Sequence, residues 1–141
     1  MQPLDLTKQP PRSPRESLDG LVMMPRTIDK LRATLPGGDA GQYKIAGLSE
    51  RLLELIGVTE DDLRKAVAEA QTDEDVAVWL RSHAQTSKYA EANERLSKRK
   101  IDDTKDPAAI RKKYPVAERP EIVTLFDMLD ADDNEAFSKH A

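Results

Sequence analysis

Cysteine is absent from this 141-residue sequence. That excludes a disulfide framework, a thiolate nucleophile and any cysteine-based zinc site. Aromatic residues make up 4% of the chain, with one Trp and two Phe, which argues against a sheet sandwich built on aromatic and β-branched packing. No stretch approaches the run of about eighteen apolar residues that a membrane span needs. Residues 1–20 lack a continuous apolar core and a small-residue cleavage site, so no secretory signal is expected. A reducing cytoplasm is the expected compartment.

What is present favours helices. The chain is 38% hydrophobic and 34% charged, with a net charge of −4. Ala, Leu, Glu, Asp, Lys and Arg dominate, and straight-chain residues lose little rotamer freedom in a helix. Charge alternates along the chain: residues 1–35 and 86–115 are net positive, and 36–85 and 116–141 are net negative. Such alternation suits helices that pack with complementary surfaces.

Pro3, Pro10, Pro11, Pro14 and Pro25 prevent the first two dozen residues from forming one helix. Leu4, Leu6, Leu18, Leu21 and Val22 give this stretch enough aliphatic surface to dock. A helix is expected from Pro25, with Met24, Ile28, Leu31 and Leu35 inward and Arg26, Asp29, Lys30 and Arg32 turned away from that stripe. Pro36-Gly37-Gly38 ends it. A short strand is possible only near Tyr43 to Ile45. Ser49 is read as the N-cap of a helix closed by Gly57, and Thr59 and Thr72 as caps of two more. A helix from Ser87 carries Tyr89, Ala92 and Leu96, and Asp106-Pro107 opens a short one. The last is expected to start at Pro120, with Ile122, Phe126 and Leu129 inward.

Few groups offer catalytic chemistry. Of the two histidines, His140 is expected to fray, and His83 falls on the apolar stripe of its helix, where a packed role suits it better than that of a base. No H-E-x-x-H pair is present. Asp130, Asp132 and Asn134 match the first ligands of a calcium loop, but Glu135 stands where that loop needs Gly and Ala141 where it needs Glu. Gly37-Gly38-Asp39-Ala40-Gly41 follows a helix and lacks the Lys-Ser/Thr of a phosphate loop, so it reads as a helix stop. The helices from Thr59 to Ala84 look like a helix-turn-helix, but Asp73, Glu74 and Asp75 would repel phosphates. The basic stretch 95–113 has only Tyr89 and Tyr114 near it for stacking and is read as a solvated face.

One cluster stands out. Arg12 and Arg15 precede Arg26, Lys30 and Arg32, with Asp29 among them and Tyr43 near in sequence. If the N-terminal stretch folds back, these cations can converge on a phosphate or carboxylate. The alternative is that the arginines pin that stretch by pairing with Asp29, Glu16 or helix-end carbonyls.

The run from Asp5 to Ile45 resembles the opening of the bacterial domain of unknown function 5069 proteins. Asp5, Leu6, Thr7, Pro10, Pro11, Arg12, Ser13, Pro14 and Arg15 match that family's N-terminal stretch. Pro25, Arg26, Ile28, Asp29, Lys30, Arg32 and Ala33 match its first helix, and Gly41 and Tyr43 the element after it. Leu52 to Gly57 and the acidic helix with Trp79 also fit. Ala46-Gly47-Leu48 departs from a Cys-Pro-Leu in relatives. The resemblance implies that the N-terminal stretch belongs to the fold, and it transfers no activity and no site.

The sequence therefore predicts an all-α fold, a compact bundle of short helices with an extended proline-rich arm (1–24) packed on a single helical domain (25–141). The expected function is a non-catalytic binding or protein-interaction module. Its partner is a protein or small anionic ligand, with an anion site at Arg12, Arg15, Arg26, Asp29, Lys30, Arg32 and Tyr43. No metal, cofactor or membrane partner is expected. A small enzyme acting on an anionic metabolite, with Asp29 or Tyr43 handling a proton, is the alternative. Nucleic-acid binding through 95–113 is the second.

Overall fold

The computed structural model describes residues 1–138, so His140 lies outside the described residues. The chain is mostly helical, but one two-stranded antiparallel sheet corrects the all-α expectation. Strands β1 (Ser17–Leu18) and β2 (Leu21–Val22) are joined by Asp19 and Gly20, with φ of 53° and 80°. Two successive left-handed residues make the tight hairpin turn that Asp-Gly favours. The Asn93 side chain holds the hairpin by accepting from Val22 N (2.9 Å) and donating to the Gly20 carbonyl (2.7 Å). The region from Tyr43 to Ile45 forms no strand. Its neighbour Asp39 instead makes a parallel bridge with Asp5. Gly38 permits this approach, because a Cβ there would meet the Ala33 carbonyl oxygen at 2.6 Å.

Helix α1 (Met24–Arg32) is the centre of the molecule. Met24, Ile28 and Leu31 are buried as the periodicity predicts, but the helix ends at Arg32 instead of Pro36, Leu35 lies half-buried beyond it, and Arg26, Thr27, Asp29 and Lys30 are buried too. The expected solvent face does not exist, because neighbours cover the helix on every side. Helices α2 (Leu48–Ile56) and α3 (Glu60–Glu69) and the hairpin pack against it. Pro11 and Pro14 are buried as well.

Around α1 the caps do much of the local work. Gly57 ends α2 with φ 73°, and Thr59 accepts from Asp62 N at 3.1 Å at the start of α3. Thr72 and Asp75 form a reciprocal capping box on α4 (Asp73–His83). Ser49 is not a cap. It lies inside α2, fully buried. His83 is exposed, not part of the packed stripe, and its ring stacks on Trp79 at 4.3 Å.

Helices α5 (Tyr89–Lys98) and α6 (Pro107–Lys113) follow, and α7 spans Leu125–Ser138. The expected start of α7 at Pro120 is wrong by about a turn. Thr124 Oγ1 accepts from Asp127 N at 3.0 Å and Thr124 N donates to the Asp127 carboxylate at 3.4 Å, so Thr124 caps the helix. No described helix is long and apolar enough to cross a membrane.

Thr124→Ala tests this boundary. Loss of a capping hydroxyl is expected to lower stability in urea unfolding by about 1 kcal/mol. At an interior position, Ala would be neutral or stabilising.

Candidate functional site

The candidate site begins with the charges on α1. Residues 26 and 30 are one turn apart on the same face. Arg26, 1% exposed, donates from Nη1 to Asp133 Oδ2 at 2.7 Å and to the Arg12 carbonyl at 3.3 Å. Asp133, 5% exposed, projects from α7 and accepts at Oδ1 from the Tyr43 hydroxyl at 2.6 Å. The Arg26 guanidinium also lies over the Tyr43 ring, 5.6 Å from its centroid. Both Asp133 oxygens are thus engaged, and Arg26 Nε remains buried with no partner among the described residues.

Lys30 is left without an acid. It is 8% exposed, makes no ion pair among the described residues, and donates to Ser49 Oγ at 3.2 Å. Ser49 in turn lies 3.3 Å from the Thr27 hydroxyl. Burial is the main reason that the Lys30 pKa falls from 10.5 to about 7. Repulsion from Arg26, and less from Lys113, adds to it, and attraction to Asp133 only partly offsets these.

Arg26 and Lys30 both line a cavity of about 260 Å³. Tyr43, Lys44, Lys113, Tyr114 and Asp132 complete its polar wall. Met23, Leu48, Leu125, Met128 and Leu129 make the rest apolar. Burial, and then the neighbouring Asp133, push the Asp132 carboxyl above its ordinary pKa, with Arg26 opposing. A second hollow of about 420 Å³ shares Gln42, Tyr43, Lys113, Tyr114 and Asp132 with the first.

The seven residues singled out by sequence thus separate into two groups. Arg26, Lys30 and Tyr43 meet at the cavity. Arg12, Arg15, Asp29 and Arg32 are engaged in pairing. Arg12 binds Asp29 (3.0 Å) on α1 and Asp73 (2.6 Å) on α4, and its backbone N–H donates to Asp29 at 2.8 Å. Burial works against the Arg12 charge, but bonds to Asp73 and Asp29 outweigh it and raise its pKa. Arg15 reaches Asp127 at 2.5 Å and also Asp130. Arg32 donates to the Gln2 carbonyl at 2.8 Å.

Tyr43 keeps its proton near neutral pH and is a poor acid, because burial and then its bond to Asp133 push the phenol pKa up. In the basic stretch three of eight cations are paired among the described residues: Arg95 with Glu91, Lys98 with Glu94, and Arg111 with Asp102. Among the described residues no cluster of His, Asp and Glu could hold a metal.

Sequence reasoning missed Asp133, Ser49, Lys44, Lys113, Tyr114 and Asp132 as members of one site. Asp133 did leave a signal. It follows Phe126 by seven residues and Leu129 by four, which places an acid on the inward face of α7.

Two stability predictions arise here. Arg26→Met strands Asp133 and is expected to cost about 3–5 kcal/mol in denaturant unfolding. Arg26→Met with Asp133→Leu should recover much of that loss. For Lys30 the pH sign is that of a paired acid, because the folded pKa lies below the unfolded one and stability rises with pH, but the window lies between about 7 and 10.5. Below about pH 7 the folded state bears the full penalty of a buried charge, and the penalty fades as pH rises towards 10.5. Lys30→Met should therefore raise the melting temperature by at least about 3 °C at pH 6. That gain should shrink steadily between pH 7 and 10.5.

No curated protein matches the chain at a significant level. A family profile does, over residues 8–135, and it spans both Arg12 and Asp133. Over nearly its whole length, then, the chain belongs to the family described as Domain of unknown function (DUF5069).

Proposed function

We propose that this protein is a cytoplasmic, non-catalytic binding module whose ligand is a small carboxylate or phosphate with a short apolar body. The observation that carries this reading is Lys30: a buried cation on a cavity wall with no carboxylate partner among the described residues. A buried charge without a counter-ion is costly, and an incoming anion would supply one. Arg26 lines the same wall with its Nε buried and unpartnered among the described residues, and Lys44 and Lys113 add positive charge at it. The apolar side of the cavity suits the body of the ligand, and its volume suits a small metabolite.

In this reading residues 1–24 are an arm packed on one helical domain. The double pairing of Arg12 and of Arg15 supports that role. The arm then acts indirectly, by presenting the Arg12 carbonyl to Arg26 and so fixing the guanidinium.

The test is calorimetric titration with hexanoate and inorganic phosphate, beside a thermal-shift series. Saturable binding at pH 6.5 is expected, lost in Lys30→Met, with a rise in melting temperature by mass action. The anion favours charged Lys30 over the neutral form, so binding takes up a proton above about pH 7. For hexanoate, whose carboxylate stays ionised throughout, affinity should fall by up to about tenfold per pH unit there. Ionisation of Asp132 would weaken anion binding in the same direction, so the slope is also read in Asp132→Asn, where it should persist. A flat response, or an affinity that ignores pH, would contradict the reading.

A further inference from the structure

We propose that Lys30 captures a small carbonyl compound that also carries a carboxylate or phosphate, by forming a reversible imine at its Nζ. The inference rests on the anion reading of the cavity and adds a covalent step to it. Three observations lead to it. Lys30 is the residue of α1 that combines an amine, burial and a place on the cavity wall. Among the described residues no carboxylate holds it as an ammonium ion, and Arg26 one turn away disfavours that form further. The cationic side chains that share the wall can hold the anionic group of the ligand while its carbonyl meets the amine.

A lysine becomes a nucleophile near neutral pH when it is desolvated and placed beside another cation. Both conditions hold here, and the Lys30 pKa of about 7 agrees with them. The Ser49 hydroxyl at 3.2 Å orients Nζ without supplying a negative charge. In the reaction the nitrogen lone pair attacks the carbonyl carbon and gives a carbinolamine. The hydroxyl then leaves as water, with a proton from Asp132, and a C=N bond replaces C=O. The resulting iminium returns a proton to Asp132 to give the neutral imine. Both amine hydrogens have then left with the carbonyl oxygen as water, and no oxidant or reductant is consumed. Asp132 suits the proton step because it lines the same cavity with a raised pKa.

The experiment uses the full chain with pyruvate or glyoxylate and sodium cyanoborohydride, which reduces an imine to a stable secondary amine. Intact mass and peptide mapping locate the product. A single adduct on Lys30 at pH 7 is expected, with a trapping rate that reaches half its maximum near pH 7. Exposed lysines, with a pKa of about 10.4, should lag by at least about tenfold. Lys30→Met, checked for folding by circular dichroism, should give no adduct at that rate. Adducts spread over surface lysines, or a Lys30 peptide left unmodified, would overturn the inference. Lactate, which has the anion but no ketone, separates the two claims. If lactate binds and pyruvate is not trapped, the imine fails and the anion site stands. If neither binds nor reacts, both fail.

Discussion

Asp133 has two oxygens, and the architecture of the site depends on how they are used. One accepts from Arg26 and the other from Tyr43. The carboxylate thereby ties α7 to α1 and to the loop after α1, inside a part of the protein where an unpaired charge would be costly. With both oxygens occupied, the next cation along α1 has no acid to itself among the described residues. Lys30 is buried by the same packing and turns to a serine hydroxyl. The unusual chemistry of the cavity is therefore a consequence of where one structural ion pair is satisfied. Arg12 contributes from a distance, because its pairing with Asp29 and Asp73 fixes the carbonyl on which Arg26 also rests.

Much of the scaffold was legible in the sequence for local reasons. Caps act within four residues, so Gly57, Thr59, Thr72 and the Asp106-Pro107 start could be read directly. The hairpin was equally readable, since Asp19-Gly20 between Leu18 and Leu21 is a strong turn signal. The many prolines around it drew attention to extended chain instead. Pro120 misled in a similar way. Proline suits a first helical turn, but here the Thr124–Asp127 pair sets the boundary. Ser49 looked like a cap because serine commonly is one, and only its burial against Thr27 and Lys30 shows otherwise.

The site was half legible. Arg26, Lys30 and Tyr43 were singled out as charged or polar groups close in sequence, and the fold does bring them together. Their grouping with Arg12, Arg15 and Arg32 was a different matter, because sequence proximity says nothing about which acids lie opposite. Asp73, Asp127 and Asp130 are all distant in the chain from the arginines they engage. The burial of the polar side of α1 was not readable from α1 at all. It depends on elements before and after the helix closing over it. Departures from simple amphipathic patterning concentrate at functional or strained places, and the largest departure in this protein is the helix that carries Lys30.

The central claim is that Lys30 is a buried lysine whose surroundings bring its charged and neutral forms into balance near neutral pH. The most direct measurement is an NMR titration of the Lys30 side chain, following the Cε and Nζ shifts with selectively labelled lysine and assigning the signal with Lys30→Met. A midpoint near pH 7 is predicted, more than two units below the ordinary lysine value. A midpoint near 10.5, that ordinary value, would show that solvent or an acid reaches Lys30 and would contradict the account.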